Sequence, residues 1–208
     1  MGGDTPYDRH LLGDESALSD AQVRGMALFF SDALRCSRCH GGIFFDAPTD
    51  EDGTVTDTHG YFNTGLYNVD GDGSYPEAEQ GLYALTGIPE DMGRFRTPSL
   101  RGVAVSGPWT HDGTVLFLED LIDAYARGGR LISSGPTPGD GAENPYKSEL
   151  VSGFSMTDDD RADLLAFLGA LTDTEALYRA SLVTPFCVAA DSGEVANPPC
   201  EPPAPFGE

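Results

Sequence analysis

The sequence predicts an all-α domain of about three main helices joined by long loops, and three observations support this. Apolar residues recur at helical spacing in three separate stretches. The segment between the first two, 41–96, holds no long periodic run and is dense in Gly, Asp, Thr and Asn. Gly and Pro, 26 and 15 of 208 residues, put much of the remaining chain into turns. This length suits one domain, or one domain with a tail.

Taken in order, residues 1–18 read as an extended entry segment. Ser19 reads as a helix N-cap with Gln22 as its capping-box partner. Val23, Met26, Ala27, Phe30 and Leu34 then share one face, so a helix over 20–34 delivers the chain to Cys36. A loop system as long as 41–96 is uncommon unless it wraps something, which points to a bound group. The second helix spans 115–127, with Leu118, Leu121, Ile122 and Tyr125 on one face and Gly128-Gly129 ending it. A Gly/Pro-rich surface loop follows over 133–147. Thr157 begins the third helix, with three acids in its first turn, where the helix dipole favours them, and Leu164, Phe167, Leu168 and Leu171 as its buried stripe. A shorter helix is expected over 173–182. The Pro-rich tail, 184–208, closes a chain whose main domain is 19–183.

Twelve basic against 34 acidic residues leave a formal charge of −22, and Lys147 is the sole lysine. Such a surface repels phosphate backbones and anionic membranes, which argues against nucleic-acid partners. No stretch approaches the ~18–20 apolar residues of a membrane span. Met1–Asp4 carries no basic or apolar leader. Two of the four cysteines, Cys187 and Cys200, lie in the tail, where a disulfide would suit an oxidising compartment.

The other two fall in Cys36-Ser37-Arg38-Cys39-His40, the Cys-x-x-Cys-His pattern of covalent c-type haem attachment. Two thiols three positions apart reach the two vinyl groups of one porphyrin, and the adjacent histidine offers its imidazole to the iron. Zinc would want a second Cys/His pair at short spacing, and His59 and His111 are isolated. A thioredoxin-like pair would follow a strand in a βαβ unit, and none precedes Cys36. One motif implies one covalent haem c. For the sixth iron position the candidates are Met92, Met156, His111, His59 and Tyr125, and spacing alone does not choose among them.

At this point the sequence resembles a known family. Besides the haem motif it carries Phe62-Asn63-Thr64-Gly65-Leu66, Gly93-Arg94-Phe95-Arg96-Thr97-Pro98-Ser99-Leu100-Arg101, Pro108-Trp109-Thr110-His111-Asp112-Gly113 and the helix Leu118–Tyr125. Their order, with the closing segment Asp163–Thr172, resembles the C-terminal haem domain of bacterial di-haem cytochrome c peroxidases and their MauG/MbnH-type relatives. The resemblance covers about residues 6–180 and implies a cytochrome c-like fold. Such enzymes carry a second haem domain upstream, which holds the peroxide-reactive haem. Peroxidase chemistry would therefore require pairing with such a domain.

The resemblance also implies site residues. The sixth ligand of this haem is methionine in ordinary peroxidases and tyrosine in the MauG-like branch, and the matching position here is Tyr125. A phenolate favours ferric iron, so a His40/Tyr125 haem would be a low-potential reservoir. The family places a calcium between its domains. Ser106 and Pro108 match two of its oxygen ligands, leaving at most a half-site. Separately, Asn68, Asp70, Asp72, Gly73 and Glu79 fall at EF-hand-like positions, but without flanking helices a Gly/Asp turn is the better reading. Arg96 and Arg101, in a chain so poor in cations, are candidate partners for haem propionates.

The leading functional expectation is a haem electron-transfer domain, one half of a di-haem peroxidase of MauG/MbnH type, acting with a redox partner or second haem domain in the periplasm or another exported location. The alternative is a self-sufficient mono-haem carrier. A third reading gives the haem only a structural role.

Overall fold

A computed structural model describes residues 4–56 and 60–175. His59, Cys187, Cys200, the tail and most of the helix expected over 173–182 lie outside the described residues.

Among the described residues the frame is built on α1 (Pro6–Leu11), α2 (Asp20–Phe29), α3 (Tyr83–Thr86), α4 (Leu118–Arg127) and α5 (Asp158–Gly169). Their starts are written locally. Ser19 caps α2 in a reciprocal box with Gln22, and Thr157 caps α5 in a box with Asp160. A third box, Thr5 with Asp8, starts α1 inside the segment expected to be extended. The α2 helix stops at Phe29, short of the expected Leu34. There the Ser31 hydroxyl donates to the Leu28 carbonyl and accepts from the Leu34 N–H, replacing the helical ladder with a turn. Gly128, with φ +86°, ends α4 in the left-handed conformation expected of a C-cap glycine.

The all-α expectation is corrected: the protein is mixed, about 35% helical and 11% strand, with two small sheets. Strands β1 (Tyr61–Phe62) and β2 (Phe95–Arg96) pair antiparallel, with Tyr61 opposite Arg96. Strands β3 (Leu131–Ile132) and β4 (Gly139–Asp140) pair antiparallel, β3 just before and β4 inside the 133–147 stretch read as a surface loop. Each strand has two residues, and among the described residues the remaining extended pairing is isolated bridges such as Gly41–Ala47 and Trp109–Val115, too short to show an alternating pattern, so the turn-rich sequence conceals them.

Two apolar clusters organise the interior. The first joins Phe29, Phe45, Leu118, Ile122, Leu164, Phe167 and Leu171 between α2, α4 and α5. Its centre is the α2–α5 contact, where Arg24 clasps Asp163 through two hydrogen bonds of 2.6 and 2.7 Å. The second joins Leu66, Tyr67, Tyr75 and Met92 within the long loop system.

Candidate functional site

The chain leaves α2 through Arg35, in the left-handed region at φ +56°, and turns tightly over Cys36–Arg38. The His40 N–H closes the turn on the Cys36 carbonyl at 2.9 Å, so both thiols and the imidazole project from one turn. The following loop folds back over it. Gly41 and Ala47 pair, Thr49 donates through its hydroxyl to the Ser37 carbonyl, and Arg38 donates to the Thr49 carbonyl.

Cys36 and Cys39 are free thiols. Burial pushes Cys36 up to about 12 and Cys39 up to about 11. A redox or zinc-binding pair needs the opposite, stabilised thiolates. Among the described residues no group of three or more His, Cys, Asp or Glu side chains is placed to hold a metal ion.

The His40 Nδ1 faces the Phe45 carbonyl at 3.0 Å. A carbonyl only accepts, so Nδ1 carries the proton and Nε2 keeps its lone pair. Burial lowers the His40 pKa, with the Phe45 and Pro98 carbonyls and Asp46 opposing it. The imidazole is thus neutral and tautomerically fixed, the state a metal-ligating histidine needs.

Tyr125 comes from α4. Burial raises its pKa most, reinforced by the nearby Cys39, Cys36 and Tyr75, and no hydrogen bond contributes. A core phenol normally has a partner for its hydroxyl. Cys36, Cys39, His40 and Tyr125 all sit in surroundings where burial dominates, yet none is fully buried. Tyr125 lies near enough to Cys36 and Cys39 for their charges to act on its hydroxyl. Two free thiols, an imidazole whose Nδ1 is engaged by a carbonyl and a phenol with no hydrogen-bond partner among the described residues fit the donor set of a covalent haem.

The other candidates have different surroundings. Met92 packs in the second apolar cluster and Met156 against the first. His111 lies flat on Phe95, ring centroids 3.5 Å apart, with Nε2 3.1 Å from Glu79. Arg96 reaches Asp46 at 3.5 Å and is half exposed, while Arg101 is held by Asp8, Thr5 and the Ile43 carbonyl. The Ser106 hydroxyl donates to the Val103 carbonyl, and the Gly107–Pro108 peptide beside it is cis. In the EF-hand-like stretch, Asn68 caps the Gly73 N–H and Asp72 caps the Ser74 N–H, which makes it a Gly/Asp turn.

Two polar centres were not singled out by sequence. Asn63, fully buried, donates to the Met92 carbonyl and accepts from Gly65 and from the Tyr75 hydroxyl. Asp112 accepts from Tyr67, Thr110 and Thr114. The Asp112-Gly113-Thr114 triplet carries a turn signal that could have marked the second.

No family model matches the chain. It is 35% identical over 184 residues to the cytochrome-c peroxidase IdrP1 of Pseudomonas sp. strain SCT, a match covering 83% of this chain and 45% of that protein. It is 32% identical over 171 residues to the methylamine utilization protein MauG of Methylorubrum extorquens, covering 82% of this chain and 40% of that protein. A solved MauG-like protein associated with microbial copper homeostasis superposes with a TM-score of 0.81 at 42% identity, over 88% of this chain and 52% of that one. The chain spans about half the length, or less, of the proteins it matches.

Proposed function

The chain belongs to the di-haem cytochrome c peroxidase and MauG family, and from that premise we propose that it is a haem c electron-transfer domain that works beside a second haem domain. Its relatives support a haem-based electron-transfer or peroxidase-type function. The observation that supports the finer reading is that Tyr125 sits within electrostatic reach of Cys36 and Cys39, while the Phe45 carbonyl holds His40 Nδ1 at 3.0 Å. In this proposal Cys36 and Cys39 would hold the haem as thioethers, and His40 Nε2 and Tyr125 would be its iron ligands.

The haem supplies the change of iron valence, and the residues set its terms. A phenolate is a hard anionic donor and favours the higher charge on iron. Binding requires loss of the Tyr125 proton, which burial alone opposes and a metal cation favours. The site therefore suits a low-potential store of oxidising equivalents. Arg96, on β2 beside the loop that covers the haem turn, is the candidate propionate partner. Ser106 and Pro108 offer oxygens for a calcium ion shared with a neighbouring domain.

Among the described residues no helix is long and apolar enough to cross a membrane. We place the protein in the periplasm, where c-type haem is attached. Spectroscopy of the ferric protein tests this function: six-coordinate iron that loses its sixth ligand in Tyr125→Phe supports it, and a spectrum indifferent to that change removes Tyr125. Haem counting on the product of the native gene separates the paired domain from a mono-haem carrier.

A further inference from the structure

The segment Pro98–Arg101 grips the loop that follows the haem motif at consecutive carbonyls. Arg101 donates from Nε and from a terminal nitrogen to the Ile43 carbonyl, at 3.0 and 2.8 Å. The Ser99 hydroxyl donates to the Phe44 carbonyl at 2.6 Å. The third carbonyl, that of Phe45, takes the His40 Nδ1–H. Phe45 holds a left-handed conformation at φ +56°, costly for an aromatic residue. Its ring is 1% exposed in the first apolar cluster, and the Arg101 guanidinium lies over that ring at 5.2 Å. Arg101 is itself anchored by Asp8 and Thr5, and its side chain is only 14% exposed. A guanidinium with this many engaged donors is a fixed element.

We propose that Arg101 and Ser99 are positioning residues for the axial histidine: by fixing Ile43 and Phe44 they hold the Phe45 carbonyl on His40 Nδ1 and so tune the iron that His40 binds. The inference rests on the haem reading of Cys36, Cys39 and His40. The physical link is the polarity of that hydrogen bond. An acceptor held on Nδ1–H makes the imidazole a stronger donor through Nε2 and favours ferric iron. A loosened Phe45 carbonyl weakens that effect, so the reduction potential rises. A purely structural clamp would alter stability and leave the potential where it was.

The test uses the haem-loaded protein and four forms of it: parent, Arg101→Met, Ser99→Ala and Arg24→Met. The last breaks the Arg24–Asp163 pair between α2 and α5 and serves as a structural control. Reduction potential is read by spectroelectrochemistry and ligand field by paramagnetic resonance of the ferric state. The expected result is an upward shift in Arg101→Met, a smaller upward shift in Ser99→Ala, and a lower melting temperature with an unmoved potential in Arg24→Met. Ser99 is exposed, so its variant decides alone if Arg101→Met does not accumulate. Parent-like potentials in the loaded Arg101 and Ser99 variants overturn the inference, as does an equal shift in Arg24→Met. A parent chain that carries no covalent haem overturns the haem reading itself, a separate result visible before any variant is compared.

Discussion

Gly25 of α2 lies directly against the backbone carbonyl of Asp163 in α5, so close that a Cβ on residue 25 would fall 1.9 Å from that oxygen. The glycine lets the two helices approach until Phe29 and Phe167 meet, ring centroids 5.3 Å apart. Because packed interiors do not yield by this much, Gly25→Ala must push the helices apart. The expected loss is about 3 kcal/mol, measured as a fall in the urea midpoint. An unchanged midpoint would show that the helix pair is looser than described.

Asp112 makes stability depend on acid. Burial alone would raise its pKa, but hydrogen bonds from Thr110, Tyr67 and Thr114 outweigh burial and hold it at about 2. The folded value lies below the unfolded one of ~3.9, so the stabilisation is complete above about pH 4 and is lost as pH falls toward 2. Allowing for solvent screening at a partly exposed carboxylate, it is on the order of 1 kcal/mol. Denaturation at about pH 6 and about pH 3 should show a larger acid loss in the parent than in Asp112→Asn. Equal losses would remove Asp112 from the acid response.

The two long helices at either end of the core start where their capping boxes do, because Ser19/Gln22 and Thr157/Asp160 are contacts within one turn. The haem motif was legible for the same reason, as five contiguous residues. What escaped is carried by long-range pairs. Arg101 reaches Thr5 and Asp8 across more than ninety residues, and Tyr67 reaches Asp112 across 45. The two-residue strands could not be read because a pleat needs several residues to show its period. The helix face placed Tyr125 indoors, and its role as an iron ligand came only from the resemblance, since spacing alone did not choose among the candidates.

Tyr125 also gives a ligand-binding prediction. Replacing it by Phe removes the proposed sixth ligand while keeping an aromatic ring at that position of α4. Cyanide should then bind the ferric protein roughly tenfold more tightly or better, since no internal ligand must first be displaced. Tyr125→Met should raise the reduction potential, because a neutral soft donor no longer favours ferric iron. Unchanged cyanide affinity in Tyr125→Phe would return Met92 and Met156 to candidacy.

The acidic surface predicts salt-dependent encounters. With a formal charge of −22, electron exchange with a basic cytochrome should slow as ionic strength rises, by about tenfold or more between low and physiological salt. Stopped-flow rates that do not change with salt would show that the acids do not steer this partner.

The central claim is that Cys36 and Cys39 hold a haem covalently. It is tested most directly by the intact mass of the denatured chain after expression with a haem-attachment system. The expected result is the chain plus one haem, lost completely in the Cys36→Ala/Cys39→Ala variant. A mass equal to the bare chain in the parent, or haem that survives in the double variant, would contradict the account.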